Sequence, residues 1–420
     1  MRSTIFSGLS LLLLIPFAGH SQSLVSAFSF DNRLWGYVDQ SGTEIIPPKY
    51  TKPTEVSLNG NACVYDPAVR KFKLINMNGS EIPTDYPNFE VVDFMGYKEQ
   101  GFVDDYIRIN VKGKQGVLDK KGKTVHAPEY DKVTNFFGDF AFATKGSTWF
   151  VLKNNGTKIE IPGKIKDIKK YREGLAPFVT SDDKFGFVND RGEIVIPAEY
   201  EGAGYFSSGL AWVRNAEKKI GFIDKTGKLV IPFNYDMAKE FDANIERTVA
   251  KIGEQFVILK KDGTEIKVDG AVKVKDFFDG VAEALSGEKW GFIDKDGKWI
   301  VEPKYEKLQY YVNGYGRIRL NGVWGVVDKQ GTVVIEPKYA RIEEFIDGRA
   351  AFIPDGSQGW GFIDPAGTII VKPTYETVRN FHNGLARVKK GEFWGTVDVN
   401  GNEVIKPEKF RRLNDFSEVK

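Results

Sequence analysis

The chain has 420 residues, and its 59 Lys and Arg nearly balance its 57 Asp and Glu. No long single-sign charge block occurs, which argues against a nucleic-acid groove or an anionic membrane surface as the partner. Forty-four glycines and an aromatic content of 13% predict many tight turns between aromatic-rich strands. We therefore expect an all-β protein.

The N-terminal segment has the pattern of a secretory signal peptide. Arg2 precedes an apolar run that reaches Ile15, Pro16 breaks the run, and small residues follow up to Ser23. Such a segment is too short and too weakly flanked to be a membrane-spanning helix. We predict a signal peptide over residues 1–23 and a mature protein that is periplasmic or secreted and not membrane-spanning.

A repeat fills the rest of the chain, residues 24–420. Its anchor is the glycine of a Trp-Gly pair, and a second glycine follows six residues later in all eleven copies. The anchor positions are Gly36, Lys73, Gly116, Phe150, Gly186, Gly221, Val257, Gly291, Gly325, Gly361 and Gly395. The second glycines are Gly42, Gly79, Gly122, Gly156, Gly192, Gly227, Gly263, Gly297, Gly331, Gly367 and Gly401. Three copies lack the first glycine, so the turn that contains the second is the more stringent element.

The copy around Trp290 illustrates the predicted unit. Asp294 opens a turn that Gly297 closes with a positive φ, as in a type I turn with a G1 bulge. Strands flank the turn, and we expect the second to end at Pro303 because proline removes a ladder donor. A third strand precedes this hairpin. The connector after Tyr305 fits a helical turn or an irregular segment equally well, so each unit is predicted to have three or four antiparallel strands.

The motif Trp-Gly-Phe-Ile-Asp-Lys-x-Gly-Lys, followed by Glu-Pro-Lys-Tyr, resembles that of the bacterial WG-repeat family, also described as KWG repeats. The resemblance covers nearly the whole mature chain and identifies a building block, but it implies no catalytic residue. The repeat positions that we assign a structural role are Trp35, Gly36, Trp290, Gly291, Gly297, Trp324, Gly325, Trp360, Gly361, Gly367, Trp394 and Gly395.

The sequence is compatible with two assemblies of about eleven 35-residue units. Propellers usually have four to eight blades, whereas an open array has no limit on copy number. The segment from Leu24 to Phe30 can form the first strand of the first unit, and the last unit reaches its own proline at Pro407. No terminal strand is obviously missing, so the sequence favours an open, twisted β superhelix, with a β-propeller as the alternative.

The sequence offers little material for catalysis. Of the three histidines, His20 belongs to the signal peptide, which leaves His126 and His382 and argues against a histidine-based metal site or nucleophilic triad. Cys63 is the only cysteine, so no intrachain disulfide forms. The best aligned acids all open turns, where capping of backbone N–H groups explains them: Asp39, Asp119, Asp224, Asp294, Asp328, Asp364 and Asp398. We predict no enzyme activity, no cofactor and no metal.

Departures from the repeat supply the candidate binding surface. Trp212 occupies a strand position that Glu283, Arg317 and Arg387 hold in other copies, so we expect this position to be hydrated. Trp299 occupies a position held elsewhere by glutamates. Exposed tryptophans are stacking platforms for sugars or anchors for a protein partner. A semi-buried ring between units is the alternative interpretation of both side chains.

The longest interval between anchors, 43 residues, adds the segment 93–106. Insertions in repeat proteins lie on one face and often bind, which makes Tyr97, Asp104, Asp105 and Tyr106 candidate binding residues. An ordinary long connector explains the same segment.

These patterns predict a non-enzymatic extracytoplasmic repeat protein that acts as a binding or scaffolding surface. The expected partner is a protein or a cell-surface glycan, not nucleic acid. Two alternatives stay open: a carbohydrate-binding or carbohydrate-active protein, since glycosidases need only two carboxylates, and a structural envelope spacer.

Overall fold

A computed structural model describes residues 23–31, 33–92 and 101–419. Every regular element within these ranges is a β-strand, and none of their segments is a helix able to cross a membrane. The all-β prediction is confirmed. Apart from Ser23, the predicted signal peptide lies outside the described residues.

The strands form eleven antiparallel units, numbered 1 to 11 here in chain order, with strands called a, b, c and d within each unit. Units 1 to 4 contain β1 Ser23–Ser29, β2 Trp35–Asp39, β3 Glu44–Tyr50, β4 Asn61–Asp66, β5 Lys71–Asn76, β6 Glu81–Ile82, β7 Glu90–Val91, β8 Tyr106–Val111, β9 Lys114–Asp119, β10 Thr124–Tyr130, β11 Lys132–Val133, β12 Phe140–Lys145, β13 Thr148–Lys153 and β14 Lys158–Ile161.

Units 5 to 8 continue the same arrangement. Their strands are β15 Ile165–Ile168, β16 Ala176–Thr180, β17 Phe185–Val188, β18 Ile194–Tyr200, β19 Gly202–Ala203, β20 Leu210–Arg214, β21 Ile220–Asp224, β22 Leu229–Tyr235, β23 Met237–Ala238, β24 Arg247–Ile252, β25 Gln255–Lys260, β26 Glu265–Lys267, β27 Lys273–Phe278, β28 Val281–Ser286, β29 Lys289–Ile293 and β30 Trp299–Tyr305.

Units 9 and 10 form one seven-stranded sheet, because β34 is strand d of unit 9 and continues as strand a of unit 10. The remaining strands are β31 Lys307–Val312, β32 Tyr315–Leu320, β33 Val323–Asp328, β34 Val333–Ile342, β35 Ala350–Pro354, β36 Trp360–Ile363, β37 Ile369–Tyr375, β38 Thr377–Val378, β39 Leu385–Lys390, β40 Phe393–Asp398, β41 Glu403–Phe410, β42 Arg412–Leu413 and β43 Ser417–Val419.

Strand a is the fourth strand, and in most units it comes shortly after strand d of the preceding unit; unit 2 has only the three strands β4, β5 and β6. In most units it has two to four residues, as in β11 and β38, but β27 and β31 have six. The connector after Tyr305, which the sequence left between a helical turn and an irregular segment, is strand β31. Its short length in other units explains why hydrophobic periodicity did not identify it.

Unit 1 takes its strand a from the other end of the chain. Strand β42 pairs with β1, with Phe28 opposite Leu413, and β43 pairs with the first residues of β1. The order β42-β1-β2-β3 repeats the order β38-β39-β40-β41 of unit 11. The premise that unit 1 supplies all its own strands, on which the open superhelix rested, is wrong.

The hydrophobic core confirms that the tandem array closes on itself. Eleven apolar clusters each lie between two consecutive units, and one of them joins Phe28 of unit 1 to Trp394 of unit 11. An open array of eleven units has ten such seams, so the eleventh closes a ring. Closure through a shared sheet belongs to the propeller alternative, although eleven units exceed the usual number of blades.

The glycine of each Trp-Gly pair lies under a bulge in strand d. At Gly291, an added Cβ would lie 2.3 Å from the Val301 carbonyl oxygen. The cause is a register shift between β29 and β30: Trp290 pairs with Tyr305, but Phe292 pairs with Val301. Pro303 lies within this bulge, where its missing N–H costs no ladder bond. The prediction that proline ends the strand is therefore wrong, since β30 continues to Tyr305.

The second glycine has the predicted positive φ in every copy, for example +77° at Gly297. Asp294 accepts hydrogen bonds from the backbone N–H groups of Asp296 and Lys298, each at 2.9 Å. Many of these glycines also pack on strand d of the preceding unit: at Gly331 an added Cβ would lie 2.3 Å from the Ile300 carbonyl oxygen. The turn thus serves both its own hairpin and the seam between units.

Candidate functional site

Both candidate tryptophans are half-buried between units. Trp212 packs over Gly204, where a Cβ would overlap the indole, and its Nε1–H donates to Glu240 of the next unit at 3.3 Å. Trp299 packs against the apolar cluster between units 7 and 8, and its Nε1–H donates to the Asp269 carbonyl at 3.2 Å. Their contacts agree with the semi-buried interpretation of each ring.

The strand position of Trp212 is not hydrated, contrary to expectation. Arg108, Glu283 and Arg317 share it, and their exposed fractions are 7%, 5% and 5%. The arginines are accommodated because each reaches strand a of the next unit. Arg108 donates to the Val133 carbonyl at 2.8 Å and Arg317 to the Ile342 carbonyl at 3.2 Å.

These buried charges hold seams together. Arg317 also pairs with Glu343 at 3.2 Å and with Glu344 at 2.6 Å. Desolvation lowers the pKa of Arg108 to about 10, which still leaves the guanidinium charged at neutral pH. Because a buried charge is stabilised only by such partners, the charged copies of this position have a structural role.

Three of the four candidate residues of segment 93–106 are described, and they belong to a regular turn. Val103 and Tyr106 form a bridge around Asp104 and Asp105, as Ser207 and Leu210 do in unit 6. Asp104 has φ +52°, and Asp105 pairs with Lys120 at 3.0 Å. The Tyr106 ring stacks on Phe136 at 4.3 Å.

The extra residues of this interval therefore lie before that turn. Strand β7 ends at Val91, and the turn begins at Val103. In unit 4 only three residues separate strand β11 from the corresponding turn residue, Phe137. Tyr97 lies outside the described residues.

The turn-opening acids act as backbone caps. Asp224 accepts N–H groups of Thr226 and Lys228, and Asp398 those of Asn400 and Asn402. Hydrogen bonds of this kind lower the pKa of the Asp398 carboxyl against the opposing effect of burial. Within the described ranges no group of three or more potential metal ligands is present.

An exposed aromatic pair is the surface feature that the sequence analysis missed. Phe278 is 45% exposed and Tyr310 is 43% exposed, and their ring centroids lie 4.7 Å apart at an interplanar angle of 33°. The other aromatic side chains of the described residues are buried or half-buried. The pair joins the two long a strands, β27 of unit 8 and β31 of unit 9.

The strand that carries Phe278 also carries a lysine with well-defined partners. Lys275, on β27, pairs with the buried Glu283 at 2.5 Å and lies 4.6 Å above the Trp290 ring centroid. An exposed pair of aromatic rings held on paired strands suits the recognition of another surface. The sequence signal is two adjacent aromatics, at 277–278 and 310–311: neighbouring side chains of a strand face opposite sides, so one of each must point outward.

A cleft between units 10 and 11 is less open to a ligand. It encloses about 570 Å³ and is lined by Arg341, Glu343, Trp360 and Asp415 among others. Its charges pair with neighbours: Arg341 binds Glu343 at 2.6 Å and lies over Trp360, and Asp415 binds Arg387 at 2.6 Å. These contacts pair Arg341, Glu343 and Asp415, whereas Arg379, also in the lining, makes no ion pair with a described residue.

Comparison with known proteins identifies the repeat. The model of a family described as WG containing repeat matches eight segments, which together cover more than half of the chain: 35–64, 116–149, 185–218, 220–252, 290–324, 324–353, 360–392 and 394–418. No curated protein matches the chain.

Solved structures show only a distant likeness. A eukaryotic initiation factor is 11% identical, with 94% of this chain and 98% of that chain covered and a TM-score of 0.42. BamB from Moraxella catarrhalis is 14% identical, with 62% and 93% covered and a TM-score of 0.29. A computationally designed protein, Ika8, is 11% identical, with 62% and 93% covered and a TM-score of 0.31.

Proposed function

The chain belongs to the family of proteins built from WG containing repeats, and from this premise we propose that it is a non-enzymatic, extracytoplasmic scaffold that binds a protein partner. The observation that carries the proposal is the exposed pair Phe278 and Tyr310. The N-terminal sequence pattern supports the location.

The pair has the properties of a binding hot spot. Aromatic side chains dominate the energetics of protein interfaces, because a large apolar area is buried at little cost in side-chain entropy. Phe278 and Tyr310 stand on paired strands of adjacent units, at or beside a register shift in each strand, and the pairing positions both rings before a partner arrives. Preorganisation of this kind favours affinity, since little ordering is needed on binding.

The test is crosslinking and capture from an envelope fraction. We expect the protein to capture a defined partner, and the double variant Phe278→Ala/Tyr310→Ala to lose that capture while its melting temperature stays close to that of the parent. Val230→Ala and Ile369→Ala are matched controls, because both side chains are exposed and apolar at other places. Unchanged capture by the double variant would refute the assignment of this surface.

A glycan array run with the same proteins separates the alternatives. Glycan binding that depends on Phe278 and Tyr310, without protein capture, would replace the protein partner by a carbohydrate. Failure of both assays would leave the structural spacer. The location is checked by N-terminal sequencing of the mature protein: we expect a start near Leu24 and recovery outside the cytoplasm, and an intact Met1 on cytoplasmic protein would contradict it.

A further inference from the structure

At several seams between consecutive units, a carboxylate of one unit forms an ion pair with a lysine of the other; we call the two groups the clasp carboxylate and the clasp lysine. The clasp carboxylate belongs to the residue that immediately precedes strand a, and it pairs with a lysine at the start of strand c in the preceding unit, in the strand or directly before it. Asp131 pairs in this way with Lys114, and Asp236 with Lys219. Asp131 also accepts the Gly146 N–H at 2.6 Å, so one carboxylate joins the lysine of one unit to the b–c turn of the next.

The seam between units 2 and 3 lacks this carboxylate. Phe89 stands immediately before strand β7, at the position that Asp131 has before β11. The corresponding lysine, Lys71, begins β5 and makes no ion pair with any described residue. The nearby Asp66 pairs with Lys73 instead, at 3.2 Å. Lys71 therefore has the place of the clasp lysine without its partner.

The turn that the carboxylate would bind is also satisfied differently. At the b–c turn of unit 3, the Gly113 N–H donates to Asn110 Oδ1 at 2.9 Å. In units 4 and 7 the corresponding N–H groups, of Gly146 and Gly253, donate to the clasp carboxylates Asp131 and Asp236. An anion at the unit 2–3 seam would therefore face Lys71 without competition from a side-chain carboxylate of the clasp.

A cleft of about 440 Å³ opens at this seam, within the size range of small-ligand sites. Its exposed cations are Arg70, Lys71 and Lys112, and Glu90 is the one carboxylate in the lining. Its other lining residues are three aromatics and two amides, with one glycine: Tyr65, Phe72, Phe89, Asn88, Asn110 and Gly113. None of the three cations has an ion-pair partner among the described residues.

We propose that this cleft binds the carboxylate of an acidic sugar residue, a hexuronate of a surface glycan, in the place that a clasp carboxylate has at other seams. Lys71 and Arg70 bind the carboxylate through charge-assisted hydrogen bonds. Asn88, Asn110 and Glu90 offer the donors and acceptors that ring hydroxyls require. The half-buried Tyr65 supplies an apolar surface for the face of the sugar ring.

The cleft is separate in sequence from the Phe278 and Tyr310 pair, and its test is independent of the protein-partner proposal. The probe is a glucuronate-containing disaccharide, titrated calorimetrically into the full mature chain, with the neutral glucose disaccharide beside it. We expect binding of the acidic sugar alone, weakened by salt because the cations are exposed. Lys71→Gln should weaken binding by about tenfold or more, the size of a lost charge-assisted hydrogen bond.

The matched control is Lys114→Gln. It removes the same kind of lysine from a seam where Asp131 already occupies the carboxylate position, so we expect binding equal to that of the parent. Both lysines are exposed, and both variants should fold. Equal binding of the neutral and acidic sugars, or equal weakening by both variants, would overturn the proposal. Binding of a free peptide C-terminus but not of the uronate would also overturn it, in favour of a peptide site.

Discussion

Units 4 and 9 use the same four strands but pair strands c and d differently. In unit 4, Phe150 holds the anchor position, and β13 pairs with β14 without a register shift. In unit 9, Gly325 holds it, and β34 bulges so that the Ile335 carbonyl oxygen would lie 2.5 Å from an added Cβ. Strands c and d also pair regularly in units 2 and 7, whose anchors are Lys73 and Val257.

The comparison explains why three copies lack the first glycine. The glycine is required only where strand d bulges over it, and the proline of strand d occurs at that bulge. The two features of the motif are thus one structural device. Units 2, 4 and 7, which we call plain units, need neither residue, because their shorter strand d pairs with strand c without a register shift. The predictions below test this distinction and the ring in which both kinds of unit stand.

The largest effect is expected at the seam where the chain ends meet. Phe416 and Phe381 have the same position after strand a, are 2% and 4% exposed, and belong to the clusters that flank unit 11. Replacing either by Ala should lower the free energy of unfolding by about 3 to 5 kcal/mol, measured by chemical denaturation. A small cost for Phe416→Ala beside a large one for Phe381→Ala would mean that the ring is open.

The next effect separates bulged units from plain ones. Gly395→Ala places a Cβ 2.1 Å from the Ile405 carbonyl oxygen, and this overlap should cost about 3 kcal/mol. Lys73→Ala makes the same final residue at a plain anchor, where only partly exposed ion pairs with Asp66 and Glu81 are lost. We expect less than about 1 kcal/mol there. Equal costs in denaturant titrations would contradict the role of the bulge.

A third, smaller difference concerns the second glycine. Gly331 and Gly263 have φ of +82° and +86°, so Ala at either site is strained by about 1 to 2 kcal/mol. Only Gly331 also faces the bulged strand d of unit 8, through the Ile300 carbonyl, whereas a Cβ at Gly263 would meet nothing within 4 Å. Gly331→Ala should therefore lower the melting temperature more than Gly263→Ala. The reverse order would show that these turns do not stabilise seams.

The smallest effect is a pH dependence at a seam between a bulged and a plain unit. His126, on strand d of unit 3, is 5% exposed and bonds the Lys153 carbonyl of unit 4 through Nε2 at 2.7 Å. Burial lowers its pKa below the ordinary value. The unfolded chain therefore binds the proton first as pH falls, and stability that is complete above about pH 6.5 is lost on acidification through the folded-state pKa.

Melting temperatures between pH 7.5 and 5 measure this effect. His126→Ile, which introduces the residue found at the same position in units 5 and 6, should flatten the change that the parent shows over this range. If the parent and variant respond identically to pH, His126 does not cause the dependence.

Much of the candidate surface was beyond prediction from sequence. Trp212 stands out as an irregularity, yet Gly204, directly after β19 of the same unit, leaves room for its ring. Lys71 looks like any other lysine of the repeat until its neighbours are known. Its distinctive feature is the absent carboxylate at Phe89, which lies across a seam between units and so has no fixed spacing in the chain.

The sequence by itself determined the units: the eleven copies, the all-β class, the position of each turn and the positive φ of its glycine. These features depend on contacts between residues that lie within about ten positions of each other in the sequence. The same contacts therefore recur in every copy of the repeat. Only the tertiary structure decided that strand d bulges over the first glycine, that charges such as Arg317 are buried, and that β42 pairs with β1. Pairing between residues nearly 400 positions apart leaves no local pattern, because the two strands that close the ring resemble those of every other unit.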